Sequence, residues 1–429
     1  MSKTFCPLPW IFQAVRNNGD VRLCAQSNAS EGRGLLKKED GSVYNAGRDN
    51  LESSRNSITL KQTRLDMLKG KNPSTCLRCE REDKAGVISR RQIEKELWKK
   101  VFSLDKARKL TKKDGAISPA EVPLIYYDLR LGNHCNLKCR MCGPADSDAW
   151  YSDHVKVWGG NSFKDSHGQV ELLQKKNGVY YTKNQDYDWH SSPSFWRQIK
   201  ANAGNIKQLH TVGGEPFLIE KHWELLQSII DSGTADQAVI EYNTNLTVIP
   251  KKMRELWKRF KLIKIGVSID GKGELNDYIR PPSRFENVEK NLDQLHQSCN
   301  NLLIWINTTV QVYNILRLTD LIQWRLKKYS LNINEDNVIN FHALHNPNFL
   351  NVKILPQSYK RKVEERLSQF LSSLKENLQD YTQESSKKIT FSLNKSLKSY
   401  ICYMNSEDWS HLIPKFWRYT KKLDEFRSQ

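Results

Sequence analysis

The stretch Cys135-Asn136-Leu137-Lys138-Cys139-Arg140-Met141-Cys142 decides how this chain is read. Its three thiols follow the spacing C-x3-C-x2-C. Upstream, Leu124 to Leu131 is an apolar, β-branched run that predicts a strand, so the cysteines sit on the loop leaving that strand. Clustered thiolates are soft ligands suited to iron–sulfur centres. A closed cluster uses four cysteines. Three leave one iron without a protein ligand, and an open coordination position marks a metal that does chemistry. The plainer alternative is a zinc loop or three unrelated thiols.

Working outward towards the C-terminus, strand and helix signals alternate. Strands are predicted at Gln208–Val212, Ala238–Asn243, Leu262–Ile269, Leu302–Val312 and Val338–Leu344. Helices are predicted at Lys221–Asp231, Pro250–Phe260, Phe285–Ser298 and Leu316–Lys328. Phe285, Val288, Leu292 and Leu295 mark one helical face. With the first strand this makes six β/α units, hence a parallel sheet with helices outside it and function on the loops at the C-terminal strand ends. Six units are too few for a full eight-stranded barrel.

The strand ends carry polar residues that a bare fold would not need. Gly213-Gly214-Glu215-Pro216 follows the second strand; two glycines let backbone approach a ligand closely, and the glutamate can accept from a cationic amine. Asn243, Ser268, Asp270 and Asn307 end later strands, and Arg280 follows in Tyr278-Ile279-Arg280-Pro281. Thr309, His342 and His345 are further pocket candidates. Each is also what an ordinary hydrogen-bonded strand end carries.

Residues 1–85 hold a second cysteine unit. Cys6 opens Cys6-Pro7-Leu8-Pro9-Trp10; Ile11 to Val15 predicts a strand, Asn17-Asn18-Gly19-Asp20 a tight turn, and Val21 to Cys24 the returning strand. A helix is predicted from Leu60 to Leu68, ahead of Cys76-Leu77-Arg78-Cys79. Four cysteines make a closed metal site, and their spacing does not choose between zinc and iron.

The three-cysteine loop resembles the signature of the radical S-adenosylmethionine (SAM) superfamily, with Met141 where many members have an aromatic residue. The resemblance implies a partial (β/α)6 barrel and a 4Fe–4S cluster on Cys135, Cys139 and Cys142, with SAM filling the open iron site and cleaved to a 5′-deoxyadenosyl radical that takes hydrogen from a substrate. Gly213-Gly214-Glu215-Pro216 is similar to the family's GGEP motif at the SAM amino group. Ser268 becomes a candidate for the ribose hydroxyls and Arg280 for the SAM carboxylate. The Cys-x-x-Pro-Trp opening, the Gly-x-Val-x-x-Cys hairpin and the closing Cys-x-x-Cys resemble SPASM and twitch domains. They imply an auxiliary 4Fe–4S cluster on Cys6, Cys24, Cys76 and Cys79, placed before the barrel rather than after it. Such units accompany peptide or protein side-chain modification, and an electron donor such as flavodoxin or ferredoxin is implied.

The fold class expected is therefore α/β: residues 1–85 as a small cysteine-ligated α+β domain, 86–118 as a basic helical linker, 119–355 as the barrel with an insertion at about 150–193, and 356–429 as a helical extension. In the linker, Ile93, Leu97, Val101 and Leu104 recur at helical spacing. The insertion carries an Asn177-Gly178 hairpin signal and is a candidate lid. In the extension, Val363, Leu367, Phe370 and Leu374 share a face. Cys299 and Cys402 lack partner spacing and read as buried thiols.

Composition narrows the function classes. Among 429 residues, 67 Lys and Arg against 48 Asp and Glu give a net charge of +19, which favours anionic partners. RNA is thus an alternative substrate, supported by the basic, aromatic tail of Tyr400, Trp409, Phe416, Trp417 and Tyr419. A non-enzymatic, metal-stabilised nucleic-acid-binding protein is a third reading. No apolar run approaches the roughly 18 residues of a membrane span, and the N-terminus lacks a secretory apolar region. A cytoplasmic protein with metal-ligating rather than disulfide-bonded cysteines is expected.

Overall fold

Side chains alternate across a strand, so each strand of a barrel divides its residues between the helices outside and the space within. The computed structural model describes residues 3–27, 33–165, 168–184, 187–298, 300–328 and 338–429. Within these, the strands are β1 (Phe12–Val15), β2 (Val21–Arg22), β3 (Tyr126–Arg130), β4 (Ser162–Asp165), β5 (Gly168–Gln174) and β6 (Tyr180–Thr182), followed by β7 (Gln208–Val212), β8 (Val239–Thr244), β9 (Leu262–Ser268), β10 (Leu302–Val310) and β11 (Asn340–Ala343). The main sheet has eight strands in the order β11-β10-β9-β8-β7-β3-β1-β2. All six predicted β/α strands are present and parallel.

One face of this sheet is apolar. Leu129, Leu209, Ile240, Ile263, Ile265 and Ile306 are fully buried in the main core with Leu225, Leu292 and Leu295 from the outer helices. Full burial of one such side chain contributes about 1.5–3 kcal/mol. The helix Phe285–Ser298 buries the predicted face of Phe285, Val288, Leu292 and Leu295. The opposite face of the sheet carries Asp128, His210, Asn243 and Asn307.

The N-terminal hairpin continues the barrel sheet. β1 runs parallel to β3, with Phe12 opposite Tyr126 and Val15 opposite Leu129, and β2 returns antiparallel to β1. Gly19, with φ +86°, makes the predicted turn. In the insertion, β4, β5 and β6 form a three-stranded sheet, and Gly178 at φ +83° closes the β5–β6 hairpin.

Two expectations are corrected. The linker is two helices, Arg90–Trp98 and Leu104–Leu110, rather than one. The periodicity of Ile93 and Leu97 marks its outer face: they are 55% and 57% exposed. Larger groups won the inner face. Trp98 and Phe102 pack with Trp10 and Tyr126, and Glu94 is buried beneath them as acceptor for Trp98 Nε1 at 2.9 Å. Cys402 is exposed, because the helix Gln383–Asn405 buries Ile389, Leu393, Leu397 and Met404 instead. Cys299 lies outside the described residues.

In the extension, Val363, Leu367, Phe370 and Leu374 are buried as predicted. The last helix, Ile413–Arg427, returns to the three-cysteine loop.

Candidate active site

The three-cysteine loop is held from both sides. Asp148 accepts from the Cys135 amide at 3.1 Å and pairs with His134 Nδ1 at 2.8 Å, which holds the His134 imidazole above its ordinary pKa. Trp150 Nε1 donates to the Cys139 carbonyl at 2.8 Å, and Ser147 Oγ donates to the Leu137 carbonyl at 2.7 Å. From the other side, the amides of Lys138 and Arg140 donate to the carbonyls of Pro281 and Ile279 at 2.7 and 2.8 Å. The last helix closes over this loop. Tyr419 Oη donates to the Arg140 carbonyl at 2.6 Å, and the buried Arg140 guanidinium pairs with Asp424 and lies 3.6 Å from the Tyr278 ring centroid. These braces come from residues whose sequence context gave no sign of the role.

Donors converge on the thiols. Arg280 Nη1 reaches Cys139 Sγ at 3.7 Å, Asn245 Nδ2 reaches Cys135 Sγ at 3.9 Å, and the Leu137 amide donates to Cys135 Sγ at 3.4 Å. Burial pushes the Cys135 thiol up to about 12. Cys139 is held below its ordinary value, first by the hydrogen bond from Cys142, with Arg280 acting in the same direction against burial.

The glycines of Gly213-Gly214-Glu215-Pro216 serve a close backbone approach. A Cβ on Gly214 would stand 2.1 Å from the His134 carbonyl oxygen, and one on Gly213 would stand 2.8 Å from Arg130 backbone. Glu215 is buried, and its carboxylate takes three donors: the Phe217 amide at 3.0 Å, Thr244 Oγ1 at 2.7 Å and the Asn245 amide at 2.8 Å. Its backbone amide donates to the His134 carbonyl at 2.8 Å. Glu215 thus ties the cysteine loop to the end of β8, and burial raises its carboxyl to about 7. Pro216 starts a short 3-10 turn that buries Phe217.

The remaining predicted residues fall into two groups. Asp270 and Arg280 form an ion pair, and Asp270 Oδ1 also accepts from the Thr309 amide at 2.7 Å. Asn243 and Asn307 meet across β9, with Asn307 Nδ2 donating to Asn243 Oδ1 at 2.8 Å. Gly266 makes that contact possible, since a Cβ there would stand 2.4 Å from both amide groups. Asn307 Oδ1 accepts from Asn340 Nδ2 at 2.9 Å and lies 3.4 Å from His342 Nε2. Ser268 ends β9 opposite Asn307. His345 stands apart from this group, edge-on to Tyr403. The polar layer also contains Asp128 and His210, 3.6 Å apart, which the sequence reading missed. The available sign was a single carboxylate, Asp128, inside the run Leu124 to Leu131.

Residues 129–315 match the family model described as Radical SAM superfamily. Over that segment the chain is similar to the radical SAM superfamily. No curated protein matches the sequence. Among solved structures, the chain is similar to anSMEcpe with bound AdoMet at 15% identity and TM-score 0.33, covering 58% of each chain. It is similar to Streptococcus suis SuiB bound to S-adenosylmethionine at 15% identity and TM-score 0.35, covering 73% of this chain and 64% of that one. For SuiB bound to precursor peptide SuiA the figures are 13%, 0.34, 74% and 64%. The chain thus spans less than two thirds of the length of these structures.

A match to this superfamily implies a 4Fe–4S cluster and SAM. Among the described residues, no three His, Cys, Asp or Glu side chains are disposed to hold a single metal ion. A cubane spreads its thiolates over separate irons, and the donor set of the three-cysteine loop suits one. Three soft thiols share one loop, and the buried Arg280, whose Nε has no hydrogen-bond partner among the described residues, offers a cation to offset thiolate charge. The N-terminal thiols sense one another: Cys24 raises Cys6, Cys76 and Cys79 in turn, although burial is the first cause in each. Among the described residues no helix is long and apolar enough to cross a membrane.

Proposed function

We propose that this protein is a radical SAM enzyme that abstracts hydrogen from a peptide or protein side chain. The observation that carries the reading is the three-thiol loop with Arg280 and Asn245 aimed at its sulfurs, within the segment matched to the superfamily. When bound, a 4Fe–4S cluster and SAM would supply the reductive cleavage that yields the hydrogen-abstracting 5′-deoxyadenosyl radical. Cys135, Cys139 and Cys142 would hold the cluster. Glu215 keeps the glycine turn against the loop, Arg280 sets the charge at Cys139, and Tyr419 with Trp150 screens the loop from water.

The peptide reading is supported by the N-terminal cysteine unit. We assign Cys6, Cys24, Cys76 and Cys79 to an auxiliary 4Fe–4S cluster, with zinc as the alternative, and an electron donor such as flavodoxin or ferredoxin to electron supply. An RNA substrate finds support in the charge of +19 but less in the tail, where Tyr419 is buried and Phe416 packs with Tyr313.

The test is anaerobic reconstitution with iron and sulfide, iron counting, and a 5′-deoxyadenosine assay with dithionite and SAM. About eight irons, with product lost in Cys139→Ala but the N-terminal iron retained, is the expected result. About four irons plus one zinc would make the N-terminal unit structural. Absence of reductant-dependent SAM cleavage would overturn the assignment.

A further inference from the structure

A polar cavity of about 630 Å³ opens beside the three-cysteine loop. Its charged walls are Arg16, Arg22, Arg130 and Lys164 against Asp146 and Asp165. Arg130 ends β3 and Arg22 ends β2. Ala14 of β1 lies opposite both Arg22 and Asp128, so the two arginines share the face of the sheet that carries Asp128. Asn346, following β11, lines the same cavity, which places it at the mouth where the two edges of the sheet approach each other.

The guanidiniums in this cavity have unmade hydrogen bonds, although the buried Asp128 on the same face offsets part of their charge. Arg22 is 7% exposed. Its Nη1 donates to the Ala25 carbonyl at 3.2 Å, while its Nε and Nη2 have no hydrogen-bond partner among the described residues; nor do Arg130 Nε and Arg16 Nη1. Arg16 stands 3.8 Å from Asp20, an ion-pair distance too long for a hydrogen bond. Asp146 accepts from the Gly143 amide at 3.2 Å rather than from a guanidinium. Two guanidiniums facing one cavity repel each other: burial and then Arg130 pull Arg22 down to about 10. Buried donors left unmade are costly, and a planar guanidinium fork matches a carboxylate in two parallel hydrogen bonds.

We propose that this cavity is the binding site for a carboxylate of the substrate, an Asp or Glu side chain or the C-terminus of a peptide. The inference rests on the peptide-substrate reading above. Ala145 and Asp146 form one wall, three and four residues beyond Cys142, so an acidic residue anchored there brings its neighbours to the cysteine loop.

The test uses the reconstituted protein and isothermal titration calorimetry without turnover. The probes are acetyl-Gly-Glu-Gly-amide, its Gln counterpart, free glutarate and SAM. The expected result is at least about tenfold tighter binding of the Glu peptide than of the Gln peptide, with that discrimination lost in Arg130→Gln and reduced in Lys164→Gln. Lys164 is exposed, so its variant reads the cavity without a folding defect, which a melting temperature checks. Equal affinity for the two peptides, or no saturable binding of any acidic probe, would overturn the proposal. Glutarate binding as tightly as the Glu peptide would overturn the peptide source in favour of a small organic acid. Loss of SAM affinity in proportion would hand the guanidiniums to the SAM carboxylate. Failure of the radical SAM reading shows separately, as absence of 5′-deoxyadenosine from the native protein.

Discussion

Arg280 and Asp270 form a buried ion pair, with Nη2 2.8 Å from Oδ2. The other arm of the same guanidinium reaches Cys139 Sγ. One arginine thus joins the end of β9 to the cysteine loop. It is tied to Asp270 rather than free for the SAM carboxylate alone.

Removing one partner of a buried pair strands the other charge and costs about 3–5 kcal/mol. Arg280→Ala is expected to lower the melting temperature and the iron retained after reconstitution. Arg280→Met with Asp270→Leu removes both charges and should restore much of the stability but not the iron, because Cys139 still lacks its donor. Thermal melts and iron counts of the three proteins check this; full iron in Arg280→Ala would refute the role given to the guanidinium.

Glu215 makes stability depend on pH in an unusual direction for a carboxyl. Its folded pKa of about 7 lies above the ordinary 4.5, so the folded state binds the extra proton. The contribution is fully present below about 4.5 and is lost as pH rises through about 7, an effect on the order of 3 kcal/mol. Glu215→Gln, permanently neutral, should flatten the stability profile between these values. Denaturant melts at several pH values decide it, and an unchanged profile would rule out Glu215 as the source.

Gly266 keeps Asn243 and Asn307 in contact. Gly266→Ala places a methyl 2.4 Å from both amides, and overpacking of this kind costs about 1–3 kcal/mol. The variant should lose stability and, if the polar layer contacts SAM, SAM affinity as well. Gly143→Ala is the control, since a Cβ there meets nothing within 4 Å. Similar melting temperatures for the two variants would contradict the packing argument.

Tyr419 secures the last helix to the cysteine loop. Tyr419→Phe removes its hydrogen bond to the Arg140 carbonyl at 2.6 Å and should cost about 1 kcal/mol. Deleting residues 413–429 also strips Asp424 and Gln429 from the buried Arg140. Iron should then bleach faster in air, as followed by visible absorbance. A deletion that bleaches at the native rate would show that the helix does not screen the loop.

Much of the barrel was legible because its signals are local. The β/α alternation from Leu124 to Leu344 rests on apolar periodicity, and all six strands are present and parallel. Glu215 was found as a motif residue, but its pairing with Thr244 and Asn245 was not, because those partners lie at the end of β8, about thirty residues on. The linker misled for a related reason: Ile93 and Leu97 are periodic, yet Trp98 and Phe102 had Trp10 and Tyr126 to pack against.

By itself, the sequence determined the three-cysteine loop, the strand that precedes it and the parallel α/β alternation, since spacing and side-chain period act between near neighbours. Only the tertiary structure decided that the first hairpin extends the sheet beside β3. Only there does Asp424 reach Arg140 across 284 residues, and only there do Arg22 and Arg130 face one cavity. Such long-range pairings are set by strand register and by which surfaces compete for burial, and neither leaves a period in the chain.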